Sequence, residues 1–184
     1  MIATLSESYH NSSLKGFLID LDLAKELPEQ IPPPTTPPTQ RRRTGTMLFM
    51  AIEILKGAAP RHTWRHDLES FLYVLIWLCI HHGRKSNEVP CTLLEECWSA
   101  KGAANNKLVQ MSQEQEWATL VGWFAPSLHE PMLRVARAIR DVLFPALKGE
   151  IGAHIGTGSN RDAIYAAILT VVQAGVSGLS DLDE

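Results

Sequence analysis

The stretch "TWRHDLESFLYVLIWLCIHHG", Thr63 to Gly83, decides the fold class. It opens on polar residues suited to a helix start and stops on a glycine. Between them Leu68, Phe71, Leu72, Val74, Leu75, Ile76, Trp77 and Leu78 cover nearly the whole circumference of a helix. A helix apolar on every side belongs at the centre of a core, so the pattern predicts a buried helix over Asp67 to His82 in a mainly α protein. The apolar run from Phe71 to Ile80 is well short of the ~20 residues needed to cross a bilayer. It reads as the middle of a water-soluble fold.

The rest of the composition agrees. A chain of 184 residues that is 45% hydrophobic can bury one sizeable core. A net charge of -3 exerts no general pull on nucleic acid or an anionic membrane, so neither is an expected partner. The start, "MIATLSESYHNSS", lacks the basic and apolar regions of a signal peptide. Cys79, Cys91 and Cys97 are odd in number and none stands in C-x-x-C spacing, which suits free thiols in a reducing compartment. The expected location is intracellular, cytoplasmic or nuclear.

Downstream of the central helix, "CTLLEECWSAKGAANNKLVQM" and "QEQEWATLVGWFA" predict two shorter helical pieces, broken by Gly102 and by Asn105 and Asn106. In "EPMLRVARAIRDVLFPAL", Glu130 to Leu147, residues Met132, Val135, Ala136, Ile139, Val142 and Leu143 form one apolar stripe at helical spacing. This predicts an amphipathic helix with Pro131 at its start. A last helical stretch, "RDAIYAAILTVVQAG", lies in the extension 149–184.

Upstream, "GFLIDLDLA" runs apolar into Asp20 and Asp22 and reads as part of a short β-hairpin near Gly16 to Asp20. The stretch 25–46 follows, with clustered prolines that lack backbone donors and fix φ, so neither helix nor central strand persists there. Then "MLFMAIEIL" returns to apolar character.

Taken in order, "DLDLA", "RTGTMLFMAIEIL" and "RHDLESFLYVLIWLC" resemble the C-terminal lobe of a protein kinase, and in detailed wording the fungal-type protein kinase family. Asp20-Leu21-Asp22-Leu23-Ala24 stands where kinases have D-F-G-L-A. Gly45-Thr46-x-x-Phe49-Met50-Ala51-x-Glu53 resembles G-T-x-x-[YF]-x-A-P-E position by position. The resemblance covers roughly Gly16 to Leu147. It implies a mainly α, kinase-like large lobe over 16–148 with an activation-segment loop at 25–46, a remnant at 1–15, and no N-lobe.

Site residues follow from the same resemblance. Asp20 takes the place of the magnesium ligand; read without the resemblance, a carboxylate at a strand end is more often a turn acceptor than a metal ligand. Asp22 replaces the glycine of D-F-G, a departure common in this family. Asp67 resembles the buried Asp that opens the central helix of the kinase lobe. Glu53, at the A-P-E position, is expected to pair with Arg134, because Glu130-Pro131-Met132-Leu133-Arg134 resembles the D-P-x-x-R pattern that holds this glutamate in kinases. Thr36 and Thr44 are candidate phosphosites. A phosphate beside Arg41, Arg42 and Arg43 would form charge-assisted hydrogen bonds, whereas by default the loop is a solvated linker and the arginines a solvated charge run. His81 and His82 are expected to complement the helix dipole at their helix end.

Kinase chemistry also needs a Gly-rich loop, a strand lysine and the H-R-D-x-x-x-x-N base, all ahead of D-F-G. The nineteen residues before Asp20 contain no arginine, and Asn11 is their single asparagine. The resemblance therefore implies ATP-dependent Ser/Thr phosphorylation, with Mg2+ and ATP, for a complete parent domain, and no transfer and no bound cofactor for this chain alone. A gene model short of upstream exons, a truncated pseudogene product and a pseudokinase-like module that binds protein partners all fit. A lobe without its N-lobe is also expected to expose apolar surface and self-associate.

Overall fold

The computed structural model describes residues 46–57, 62–84, 98, 101–144 and 161–180. The chain divides into two units, Met1–Pro33 and Pro34–Glu184, and every described residue lies in the second. A 3-10 turn, Met47–Phe49, leads into α1 (Ile52–Lys56), followed by α2 (Trp64–His81), α3 (Ala103–Ser112), α4 (Glu114–Val121), α5 (Pro126–Leu143) and α6 (Arg161–Ser180). The regular elements among the described residues are all helical, and none is a strand. The hairpin expected at Gly16 to Asp20 lies outside them.

The central helix is where the sequence puts it, three residues longer at its start. Its environment differs from the all-round burial expected. Leu68, Leu72, Tyr73, Ile76, Cys79 and Ile80 are buried, while Phe71 is 42% and Leu78 52% exposed. The buried set repeats every three or four residues, so α2 has one face inside and an apolar stripe facing outward. At its C-terminal end, His81 Nδ1–H donates to the Trp77 carbonyl at 2.8 Å and its ring stacks on the Trp77 indole. His81 thus gives the Trp77 carbonyl a side-chain donor in the last turn. Gly83 then takes φ +67°, a left-handed conformation in which a side chain is disfavoured.

The end of α2 locates the start of α5. Ala125 N donates to the Cys79 carbonyl at 2.8 Å, and Arg84 donates to the carbonyls of Trp123 and Phe124 at 2.6 and 3.3 Å. The amphipathic helix therefore begins at Pro126, in the first helical position, and Pro131 lies inside it rather than at its start. At that interior position Pro131 leaves the Ser127 carbonyl without its intrahelical donor, the ordinary cost of a proline inside a helix. The predicted stripe is realised: Met132, Val135, Ala136, Ile139 and Leu143 are buried against α2 and α6.

Asn105 and Asn106 do not interrupt α3. Gly102, at φ 107°, caps it, and both asparagine N–H groups donate back to the Gly102 carbonyl. Asparagine is unfavourable in a helix interior but well placed in a first turn. α6 joins the same core through Ile164 and Ile168. It lies so close to α5 that a Cβ at Gly175 would overlap Val135 Cγ2.

Candidate functional site

The segment Thr46–Gly57 carries Ala51-Ile52-Glu53, and its backbone is held by side chains from two helices. α1 has only five residues and leaves its first N–H groups without intrahelical partners. Glu69, fully buried on α2, supplies one partner: its Oε1 accepts from Ile52 N at 2.7 Å and from the Tyr73 hydroxyl at 2.6 Å. Ser70 Oγ donates to the Phe49 carbonyl at 2.5 Å. From α3, the buried Lys107 Nζ donates to the Met50 carbonyl at 2.7 Å and to that of Met47 at 3.4 Å. The same ammonium sits 4.1 Å from the Tyr73 ring centroid and 5.2 Å from that of Trp98. The result is a buried polar seat for a short stretch of chain.

Burial without full compensation governs the electrostatics. It raises the Glu69 carboxyl above its ordinary range, opposed by the bonds from Tyr73 and Ile52 and by Lys107. It pushes Lys107 down to about 7, against the attraction of Glu69. The Tyr73 hydroxyl is pushed well up, first by burial and then by the adjacent carboxylate. Among the described residues, Glu69 Oε2 has no donor.

Glu53 is held differently from the expectation. His66 Nε2 meets its Oε2 at 3.0 Å, while Thr63 N donates to His66 Nδ1 at 2.9 Å. A backbone N–H can only donate, so Nδ1 accepts and Nε2 carries the hydrogen given to Glu53. Arg65, on the adjacent turn, adds Coulombic attraction to both Glu53 and Glu69. Arg134 pairs with Glu130 instead, at 3.9 Å, with 75% of its side chain exposed. The expected Glu53–Arg134 pair is not formed, because Arg134 projects from the solvent face of α5 and the start of α2 already faces Glu53.

Asp67 also departs from expectation. Its side chain is 66% exposed and pairs with His62 at 2.9 Å, where the resemblance implied a buried acid. In the first turn of α2 an acid is favoured by the dipole and needs no buried partner. The buried acid of this helix is Glu69, two residues on. Asp20, Thr36 and Thr44 lie outside the described residues. Among those described, no cluster of His, Cys, Asp and Glu is arranged to hold a metal, and no helix is long and apolar enough to cross a membrane.

Glu69, Ser70, His66 and Lys107 were not singled out by the sequence reading. Glu69 and Ser70 did leave a signal, as the polar pair directly ahead of the apolar run Phe71 to Ile80. Lys107, inside "ANNKLVQM", left none.

Chemically, the arrangement fixes backbone. It presents residues 47–53 in one conformation, held from below by α2 and α3. No curated protein and no solved structure matches the chain. Residues 1–79 match the family model described as fungal protein kinase, a span that takes in "DLDLA", the anchored segment and most of α2. Over that span, less than half of its length, the chain is similar to the fungal protein kinase family.

Proposed function

We propose that this chain is the activation-segment end and helical core of a fungal-type Ser/Thr protein kinase domain, in which the complete parent transfers phosphate from ATP to protein substrates. The observation that carries this reading is the family match over "DLDLA" and "GTMLFMAIE" in their kinase order. The anchoring of Met50 and Ile52 by Lys107 and Glu69 supports it, since a segment that presents a substrate must hold its own backbone still. Asp20 is the proposed magnesium ligand, and Thr36 and Thr44 the proposed sites of regulatory phosphate.

Phosphoryl transfer depends on positioning and on charge stabilisation around the phosphates. Within these 184 residues nothing corresponds to the Gly-rich loop, the strand lysine or the H-R-D base, so this chain alone transfers no phosphate. The transcript tests the assignment. An in-frame H-R-D-x-x-x-x-N and strand lysine upstream of the codon for Met1 are expected. A stop codon in their place would favour a non-catalytic interaction module.

A further inference from the structure

Three elements meet at one buried cluster. Lys107 comes from α3, Glu69 and Tyr73 from α2, and the carbonyl of Met50 and the N–H of Ile52 from the anchored segment. All three side chains are fully buried. If the segment lifts, Lys107 and Glu69 lose its backbone partners and meet water. We propose that this cluster is a proton-linked latch, which holds residues 47–56 against α2 and α3 more tightly as Lys107 loses its proton.

The sign follows from where the amine prefers its charge. In water a lysine stays protonated up to about 10.4. In the seated cluster burial brings it to about 7. Between those values the open form holds a proton that the seated form has lost, so seating releases one and rising pH favours it. Glu69 acts in the opposite sense on the acid side, because burial raises its carboxyl and seating then takes up a proton. The latch is therefore weakest near neutrality and tightens toward alkaline pH.

The neighbouring charges leave this sign intact. From α1, Glu53 acts on Glu69 and is itself met by His66. On α2, Arg65 attracts Glu53 and Glu69. On α4, Glu114 is engaged by Arg137 and Arg140. Lys107 is attracted by Glu69. The meaning of the latch as regulation rests on the kinase reading of this segment. The latch itself is tested without any nucleotide, so the two ideas fail separately.

Amide hydrogen exchange at Ile52, corrected for the intrinsic pH dependence and referenced to Ile139 in α5, provides the test across pH 6–9. Protection of Ile52 is expected to grow above pH 7 by up to tenfold per pH unit, the limit for one linked proton. In Lys107→Met the growth should vanish. Protection that does not change with pH in the unaltered chain, or an undiminished slope in Lys107→Met, would overturn the proposal. Should that variant not fold, the NMR titration of the Lys107 side chain in the unaltered protein decides. A midpoint near 7 supports the latch and one near 10 refutes it.

Discussion

Replacing Gly175 with alanine separates two opposed effects of known size. In an isolated helix the change stabilises by roughly 1 kcal/mol, because glycine is the poorer helix former. Here the added Cβ would overlap Val135 Cγ2 and lie 3.3 Å from Met132 Cε. The Met132 terminus can swing away. Val135 cannot, since its β-branched side chain is held to one rotamer in a helix and is itself buried. The helices must separate, and overpacking of this kind costs roughly 1–3 kcal/mol. The expected net effect is a destabilisation of about 1 kcal/mol, read as a lower urea midpoint at unchanged slope. Val135→Ala removes the obstructing methyls, so the double variant should be more stable than the sum of the single changes predicts, by at least 1 kcal/mol. A Gly175→Ala variant more stable than the parent, with no coupling to Val135, would refute the close packing of α6 on α5.

Glu69→Ala should cost roughly 1–3 kcal/mol for each of the two buried donors it leaves unpaired, the Ile52 N–H and the Tyr73 hydroxyl; a urea titration reads this, and a loss under 1 kcal/mol would contradict it. Glu53 and His66 should show coupling in a double-mutant cycle, while Arg134→Ala changes stability by no more than about 0.5 kcal/mol, as for any exposed residue of this kind. Asp67→Asn should likewise be nearly neutral, and a large loss would mean that the side chain is buried after all. The Arg140 and Arg137 bonds hold the Glu114 carboxyl below its ordinary value, so their contribution is complete above about pH 4.5 and fades as pH falls through the lower folded value. Glu114→Gln should remove that acid-side loss, seen as a flatter dependence of melting temperature on pH.

Periodicity located α2, α5 and α6, because a buried helix face repeats every three to four residues whatever its neighbours are. It could not tell which side of α2 would be covered. Phe71 and Leu78 are as apolar as Leu72 and Ile76, and tertiary placement alone separates them. Helix starts were harder to read. Pro126 and Pro131 are both acceptable first residues, and the choice between them came from the Cys79 carbonyl, far away in sequence. At the site, motif spacing identified the segment that is held but not what holds it. Its contacts from Glu69 and Lys107 are made to backbone, and the sequence of the segment carries no mark of them. The Glu53 partner was missed for a related reason: the D-P-x-x-R resemblance supplied an arginine, while a histidine thirteen residues away had the shorter reach.

Calorimetric titration of this chain with ATP, with and without magnesium, addresses the central claim most directly. If the catalytic parts belong to a complete parent domain and this chain contributes the core and the anchored segment, neither titration should give a binding isotherm. Asp20→Ala should then leave both traces unchanged. Saturable ATP binding that requires magnesium and disappears in Asp20→Ala would contradict the account, and would show that this chain holds a working nucleotide site by itself.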